Sequence, residues 1–173
     1  MKCIELWFKK RTTQWLDRLI SFRTLSPYSH VELVLGATTP ELELGSNFTG
    51  FSADGSVGGT RPTVLHWDPN KWERVVFREL IIGTSGYTEV LETAEELLYR
   101  PYDYFNLKDL LVGKTPPKDP YALQCAEFCT YCLQSAGIFT FVHPGTVTPG
   151  SLYLMSKARE EVINGTKGNL PIK

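Results

Sequence analysis

The chain has 173 residues, 42% of them apolar and 21% charged, with 18 basic side chains against 19 acidic ones. That length and balance fit one globular domain, residues 1–173, with a core of its own. A formal charge of −1, with basic runs such as Lys9-Lys10-Arg11 too short to count, argues against a nucleic-acid backbone as partner, and no apolar run nears the ~18–20 residues of a membrane-spanning helix.

Lys2 is followed by an apolar stretch that Glu5 interrupts, which is not a signal peptide, so the expected location is cytoplasmic. Action outside the cell would then require lysis or packaging in a virus particle. Residues 3–8 (CIELWF) alternate as a strand does. Residues 12–23 place Trp15, Leu16, Leu19 and Ile20 on one helical face, with Thr12 or Thr13 as cap. A second strand is expected over 29–35 (SHVELVL). In the Gly-, Pro- and Thr-rich stretch that follows, strands are expected near 41–44, 47–52 and 62–67. Asp54-Gly55 and Gly58-Gly59 mark tight turns between them.

Another strand is expected over 72–80, then helices over 87–99 and 103–112. Pro116, Pro117 and Pro120 stop any helix across the next segment. Residues 124–136 predict a helix closed by Gly137. A last helix is expected over 149–163 and a loose tail over 164–173. Strands first and helices later imply an α+β class, an antiparallel sheet with helices on one side.

Four cysteines, Cys3, Cys125, Cys129 and Cys132, do not make a disulfide framework when three of them cluster so closely. At 3.6 residues per turn Cys125, Cys129 and Cys132 fall on one stripe, beside Phe128 and Ala136. Small core residues are the commoner account of such a stripe. The chemical account rests on position. A cysteine at a helix start meets the positive end of the helix dipole, which favours thiolate, and N–H groups that can receive an oxyanion. A start within a turn of Cys125 is expected; the rival start has Asp119 as N-cap and Pro120 in the first helical position.

Cysteine chemistry needs a base. In Tyr28-Ser29-His30-Val31-Glu32, strand alternation puts Tyr28, His30 and Glu32 on one face. A carboxylate two residues from a histidine suits an imidazole held in one tautomer; a solvent-facing polar side of an edge strand is the competing account. The Gly-rich segment 55–59 lacks the Lys-Ser/Thr ending of a phosphate loop. His66 and His143 have no matching partner, and the loop position of His143 before Pro144 predicts exposure.

Taken in order, these segments resemble the circularly permuted papain-like (NlpC-type) cysteine hydrolases, in their phage-encoded and bacterial branch. That family typically shows Ser-His-x-Glu, a Ser- and Gly-rich segment ending in Gly-Gly-x-Arg, and Cys-Ser-Glu-Phe on a helix, followed by a Pro-rich turn into a short last helix. Here they read as Ser29-His30-Val31-Glu32, Phe51 to Arg61, Cys125-Ala126-Glu127-Phe128, and Thr148-Pro149-Gly150-Ser151-Leu152-Tyr153. Ala126 stands in place of the usual serine, Thr60 fills the position before Arg61, and residues 36–46 lengthen the hairpin after the histidine segment.

The resemblance implies a papain-like α+β fold with Cys125 as nucleophile, His30 as base and Glu32 as the orienting third residue, with Glu43, Asn47 and Ser52 as other candidates for that third role. It implies Tyr28 and Gln124 as oxyanion or substrate contacts, and neither cofactor nor metal. The implied substrates are amide or peptide bonds, with peptidoglycan stem peptides as the leading example. Relatives that act on lipid esters, including lecithin:retinol acyltransferase-like proteins, imply acyl transfer as an alternative. Two readings from other classes remain at this stage. One is a binding or virion protein that keeps the fold with an idle site. The other is a zinc site made by the three clustered cysteines and a histidine, crowded though three ligands on one stripe would be.

Overall fold

The computed structural model describes residues 2–10, 26–37, 44–104 and 121–168. Among them five strands form one sheet: β1 (Lys2–Lys10), β2 (Tyr28–Ala37), β3 (Asn47–Asp54), β4 (Gly59–His66) and β5 (Trp72–Arg78). Their order is β4-β3-β2-β1-β5 and every neighbouring pair is antiparallel. Three helices follow, α1 (Glu79–Glu96), α2 (Cys125–Ser135) and α3 (Pro149–Gly168), with short 3-10 turns at Gly55–Val57 and Pro144–Thr146. The α+β class expected from the element order is the class observed.

β1 lies between β2 and β5 in the sheet. Ile4, Leu6 and Phe8 point into a core shared with Val31, Leu33, Val75 and Phe77 from the sheet and with Val90, Ala94, Phe128, Leu133 and Leu152 from the helices. Burying a side chain such as Phe128 is worth about 2–3 kcal/mol. Trp7, Val34, Leu65 and Trp72 form a second, smaller cluster, in which Trp7 meets Trp67 at 5.0 Å between ring centroids. Glu5 is buried beside Trp7. Its carboxylate accepts the indole N–H of Trp7 at 2.8 Å and lies 3.7 Å from the Arg74 guanidinium, which makes burial of the charge tolerable.

Several boundaries differ from expectation. β5 ends at Arg78, and α1 starts at Glu79 rather than near 87, with a break at Gly83 (φ 70°, ψ 168°) that splits it into two helical runs. The first run is too short to show helical periodicity in sequence. α3 continues to Gly168, so residues 164–168 are helical and not tail, because each added residue of a formed helix gains a backbone bond. The expected helix 12–23, residues 41–43 of an expected strand and residues 105–112 of another helix lie outside the described residues.

The feature that shapes the site is the contact between β2 and β3. These strands pair at Leu33–Phe51 and Val34–Gly50 alone, whereas β3 and β4 pair along their whole length. His30 and Glu32 therefore lie on the stretch of β2 beyond that short ladder. Gly50 permits the close approach: a Cβ there would sit 2.4 Å from the Leu33 carbonyl oxygen. Gly50→Ala is expected to destabilise the protein by about 1–3 kcal/mol, measured by denaturant unfolding. An unchanged midpoint would show that the two strands are free to move apart.

Candidate active site

α2 begins where its chemistry needs it. Gln124 is the N-cap, extended at φ −89° and ψ 164°, and Cys125 is the first helical residue. Tyr121 to Gln124 are not helical, so α2 does not extend back toward the rival start, whose Asp119 and Pro120 lie outside the described residues. The first intrahelical bond runs from the Phe128 N–H to the Gln124 carbonyl at 2.8 Å. The N–H groups of Cys125, Ala126 and Glu127 precede it, so they lie at the positive end of the helix. At the other end Gly137 takes φ +74°, and the Ile138 N–H returns to the Leu133 carbonyl, a glycine-closed helix end. The helix is buried on most of its circumference, including Cys125, Cys129 and Cys132.

His30 is the neighbour of Cys125. Its Nε2 lies 2.8 Å from Oε1 of Glu32, and the Cys125 thiol is near enough to act electrostatically on the ring. Burial by itself would lower the His30 pKa. The Glu32 carboxylate and Cys125 outweigh it and hold the imidazole well above its ordinary value. Oε1 of Glu32 also accepts the Ser52 hydroxyl at 3.0 Å, so the carboxylate that fixes the histidine is itself fixed from β3. Ser52 is fully buried. The expected His30–Glu32 neighbourhood is thus present, and Ser52 joins it by holding Glu32 rather than His30.

The other candidates for the third role fall away from this centre. Asn47 is exposed at the far end of β3, opposite His66. Glu43 lies outside the described residues. Gln124 is buried and makes no capping bond with its side chain. His143, exposed as expected, caps the Pro144–Thr146 turn.

Tyr28 departs from the expected role. The pairing of β1 with β2 shifts between Lys9–His30 and Lys10–Tyr28, so Ser29 is the extra residue of a bulge that breaks the alternation. Tyr28 accordingly packs with Phe8 and Tyr153, at centroid distances of 5.6 and 4.4 Å. Its hydroxyl donates to Glu73 at 2.6 Å, alongside that of Tyr153 at 2.5 Å. Burial and the Glu73 bond push the Tyr28 phenol far up, so it stays protonated and committed. Tyr28→Phe should therefore change any catalytic rate less than about twofold while costing about 1 kcal/mol of stability. An oxyanion donor would instead lose 10²–10³ in rate, so steady-state kinetics beside a thermal melt separate the two.

Sequence reading missed Tyr102. Its backbone bridges Leu123, two residues before Cys125, and the Leu123 N–H donates to the Pro101 carbonyl at 2.9 Å. Burial, then the charges of Cys125 and Asp54, hold the Tyr102 phenol well above its ordinary pKa, so it stays protonated. Nothing local in the sequence marks it, because an isolated bridge has no periodicity. Asp54 is also close: its carboxylate accepts the Ser56 N–H at 2.8 Å and lies within the electrostatic reach of His30 and Arg61.

Burial, then the neighbouring Cys132 and Cys125, push the Cys129 thiol well up, and burial does the same to Cys132. Cys3, on β1, is pushed up to about 11 by burial and then by Glu5. Among the described residues no three His, Cys, Asp or Glu side chains are grouped as metal ligands, and no helix is long and apolar enough to cross a membrane. Compared with protein-family models and with curated proteins, the chain matches none.

Proposed function

We propose that this protein is a cysteine hydrolase of the permuted papain-like kind, cleaving amide bonds through an acyl-thioester on Cys125. The observation that carries the reading is the arrangement at the head of α2: Cys125 in the first helical position, within electrostatic reach of His30, which Glu32 and Ser52 hold in place. Because Nε2 faces Glu32, Nδ1 is the ring nitrogen left for the thiol. His30 takes the thiol proton, and the thiolate attacks the substrate carbonyl carbon. The N–H groups at the start of α2 receive the oxyanion, with the neutral Tyr102 phenol as a further donor. His30 passes its proton to the leaving amine, then deprotonates the water that releases the acid. Peptides, peptidoglycan stem peptides among them, are the substrate class of this proposal.

The test is to incubate the purified protein with peptidoglycan fragments, with lipid esters and with a generic activated acyl probe, then locate any acyl group by mass spectrometry. An adduct on Cys125 that His30→Ala removes supports the hydrolase. Peptide products identify the amidase, and acylated lipid or alcohol products identify the transferase. If no reagent modifies Cys125 faster than it modifies unfolded protein, the site is idle and the proposal fails.

A further inference from the structure

Glu32, Ser52 and Arg61 form a row across β2, β3 and β4. Ser52 pairs with Arg61, and the register that sets Leu33 beside Phe51 continues to Glu32 beside Ser52, whose hydroxyl donates to Oε1 of Glu32. Along β4, Arg61, Thr63 and Leu65 are turned inward, whereas Pro62, Val64 and His66 are exposed. Leu65 packs with Trp7 and Val34, and Glu32 pairs with Trp7, so the row lies on one face of the sheet. Strands two apart are separated by about 10 Å, and a serine between them is short enough for an arginine and a glutamate to meet above it. Two buried side-chain atoms of this row have no hydrogen-bond partner, and they are opposite in kind: Oε2 of Glu32, an acceptor, and Nη1 of Arg61, a donor. Left apart, each bears the desolvation cost of a charged group; brought together, they offset it. Asp54 is the competing partner, since it senses Arg61 too. Its carboxylate is already held by the Ser56 N–H, however, and is half-exposed, where water solvates it.

From this row we infer that Arg61 is a positioning residue: its guanidinium holds Oε2 of Glu32 above Ser52, in contact or through one water, and so keeps the carboxylate aimed at His30. The inference rests on the hydrolase reading, in which Glu32 fixes His30, and adds a member to that site. Oε1 of Glu32 is taken by His30 and Ser52, which leaves Oε2 for Arg61. A carboxylate held at one oxygen pivots about it; held at both, it does not. A planar fork of charged N–H donors suits this task better than a single ammonium or a neutral amide.

The test uses the intact protein and needs no substrate: thermal midpoints and the NMR titration of the His30 ring are compared across variants. Arg61→Gln should lower the Tm by about 2–4 °C. Most of that loss should disappear when the same change is made in Glu32→Gln, where no carboxylate remains to be held. Arg61→Gln should also lower the His30 pKa by about 0.5 or more, since a loosened carboxylate supports the imidazolium less. A cation acting on the ring by itself has the opposite sign, because its removal raises that pKa. Arg61→Lys should recover part of both the Tm and the pKa. Equal Tm losses in the natural and Glu32→Gln proteins overturn the inference, as does a His30 pKa that stays or rises in Arg61→Gln. A coupling that appears with Asp54→Asn instead of Glu32→Gln assigns the guanidinium to Asp54 and overturns it as well. Where Arg61→Gln or Glu32→Gln does not fold, Arg61→Lys or Glu32→Asp completes the cycle. Acylation of Cys125 is measured separately. A coupled row beside a cysteine that no acyl probe modifies removes the hydrolase and leaves Arg61 as the partner of Glu32. An acylated Cys125 with an uncoupled row removes the positioning role and leaves the hydrolase standing.

Discussion

Glu32→Gln is expected to drop the His30 pKa below that of a free imidazole and to slow acylation of Cys125 by on the order of 10²–10⁴. Two opposed effects act on this ring. Burial disfavours the imidazolium, and the Glu32 carboxylate, with Cys125, favours it more strongly. Glutamine keeps the shape and loses the charge, which leaves burial in command. The same substitution changes how stability depends on pH. A histidine whose folded pKa is raised contributes stability that is complete below its unfolded value of roughly 6.5 and is lost as pH rises through the folded value. The natural protein should therefore lose stability across that window, and Glu32→Gln should flatten or reverse the slope. Titration of the His30 ring by NMR and melting curves from pH 5 to 9 read both effects. A His30 pKa that does not move on Glu32→Gln would show that the 2.8 Å contact carries no charge interaction. Ser52→Ala should shift the same titration in the same direction by less, because it loosens Glu32 without removing its charge.

The second large effect concerns the cysteines, which share a helix and not a reactivity. Brief treatment of the folded protein with iodoacetamide should modify Cys125 first, because its thiol faces an imidazole able to hold the proton. Cys129 and Cys132 are fully buried, and burial holds both as thiols. His30→Ala should slow labelling of Cys125 by about tenfold or more and leave the slow rates of the others unchanged. Cys125→Ala should fold normally and abolish acyl transfer, whereas Cys129→Ala should cost on the order of 1 kcal/mol of stability and leave the chemistry in place. Equal, slow labelling of all three would rule out an activated thiol. Joint protection of all three, relieved by a chelator, would identify a metal site instead.

Local pattern alone determined much of this arrangement. The alternation of 29–35 defines β2 to within two residues at either end, and a spacing of two makes His30 and Glu32 neighbours, as observed at 2.8 Å. The stripe of Cys125, Cys129 and Cys132, closed by Gly137, marks α2 and sets Cys125 at its head. These features depend on backbone geometry within a few residues, which sequence periodicity records directly. Only the tertiary structure decided what surrounds them. The bulge at Ser29 turns Tyr28 toward Glu73 and away from the expected role, because a bulge depends on how β1 and β2 pair and not on β2 by itself. Ser52 reaches Glu32, and Arg61 stands opposite Ser52, through the registers of β2 with β3 and β3 with β4. Tyr102 is joined to Leu123, two residues before Cys125, by a single bridge. Each of these contacts joins residues remote in the chain, and a cross-strand register is chosen by the packing of the whole sheet, so no local period carries it.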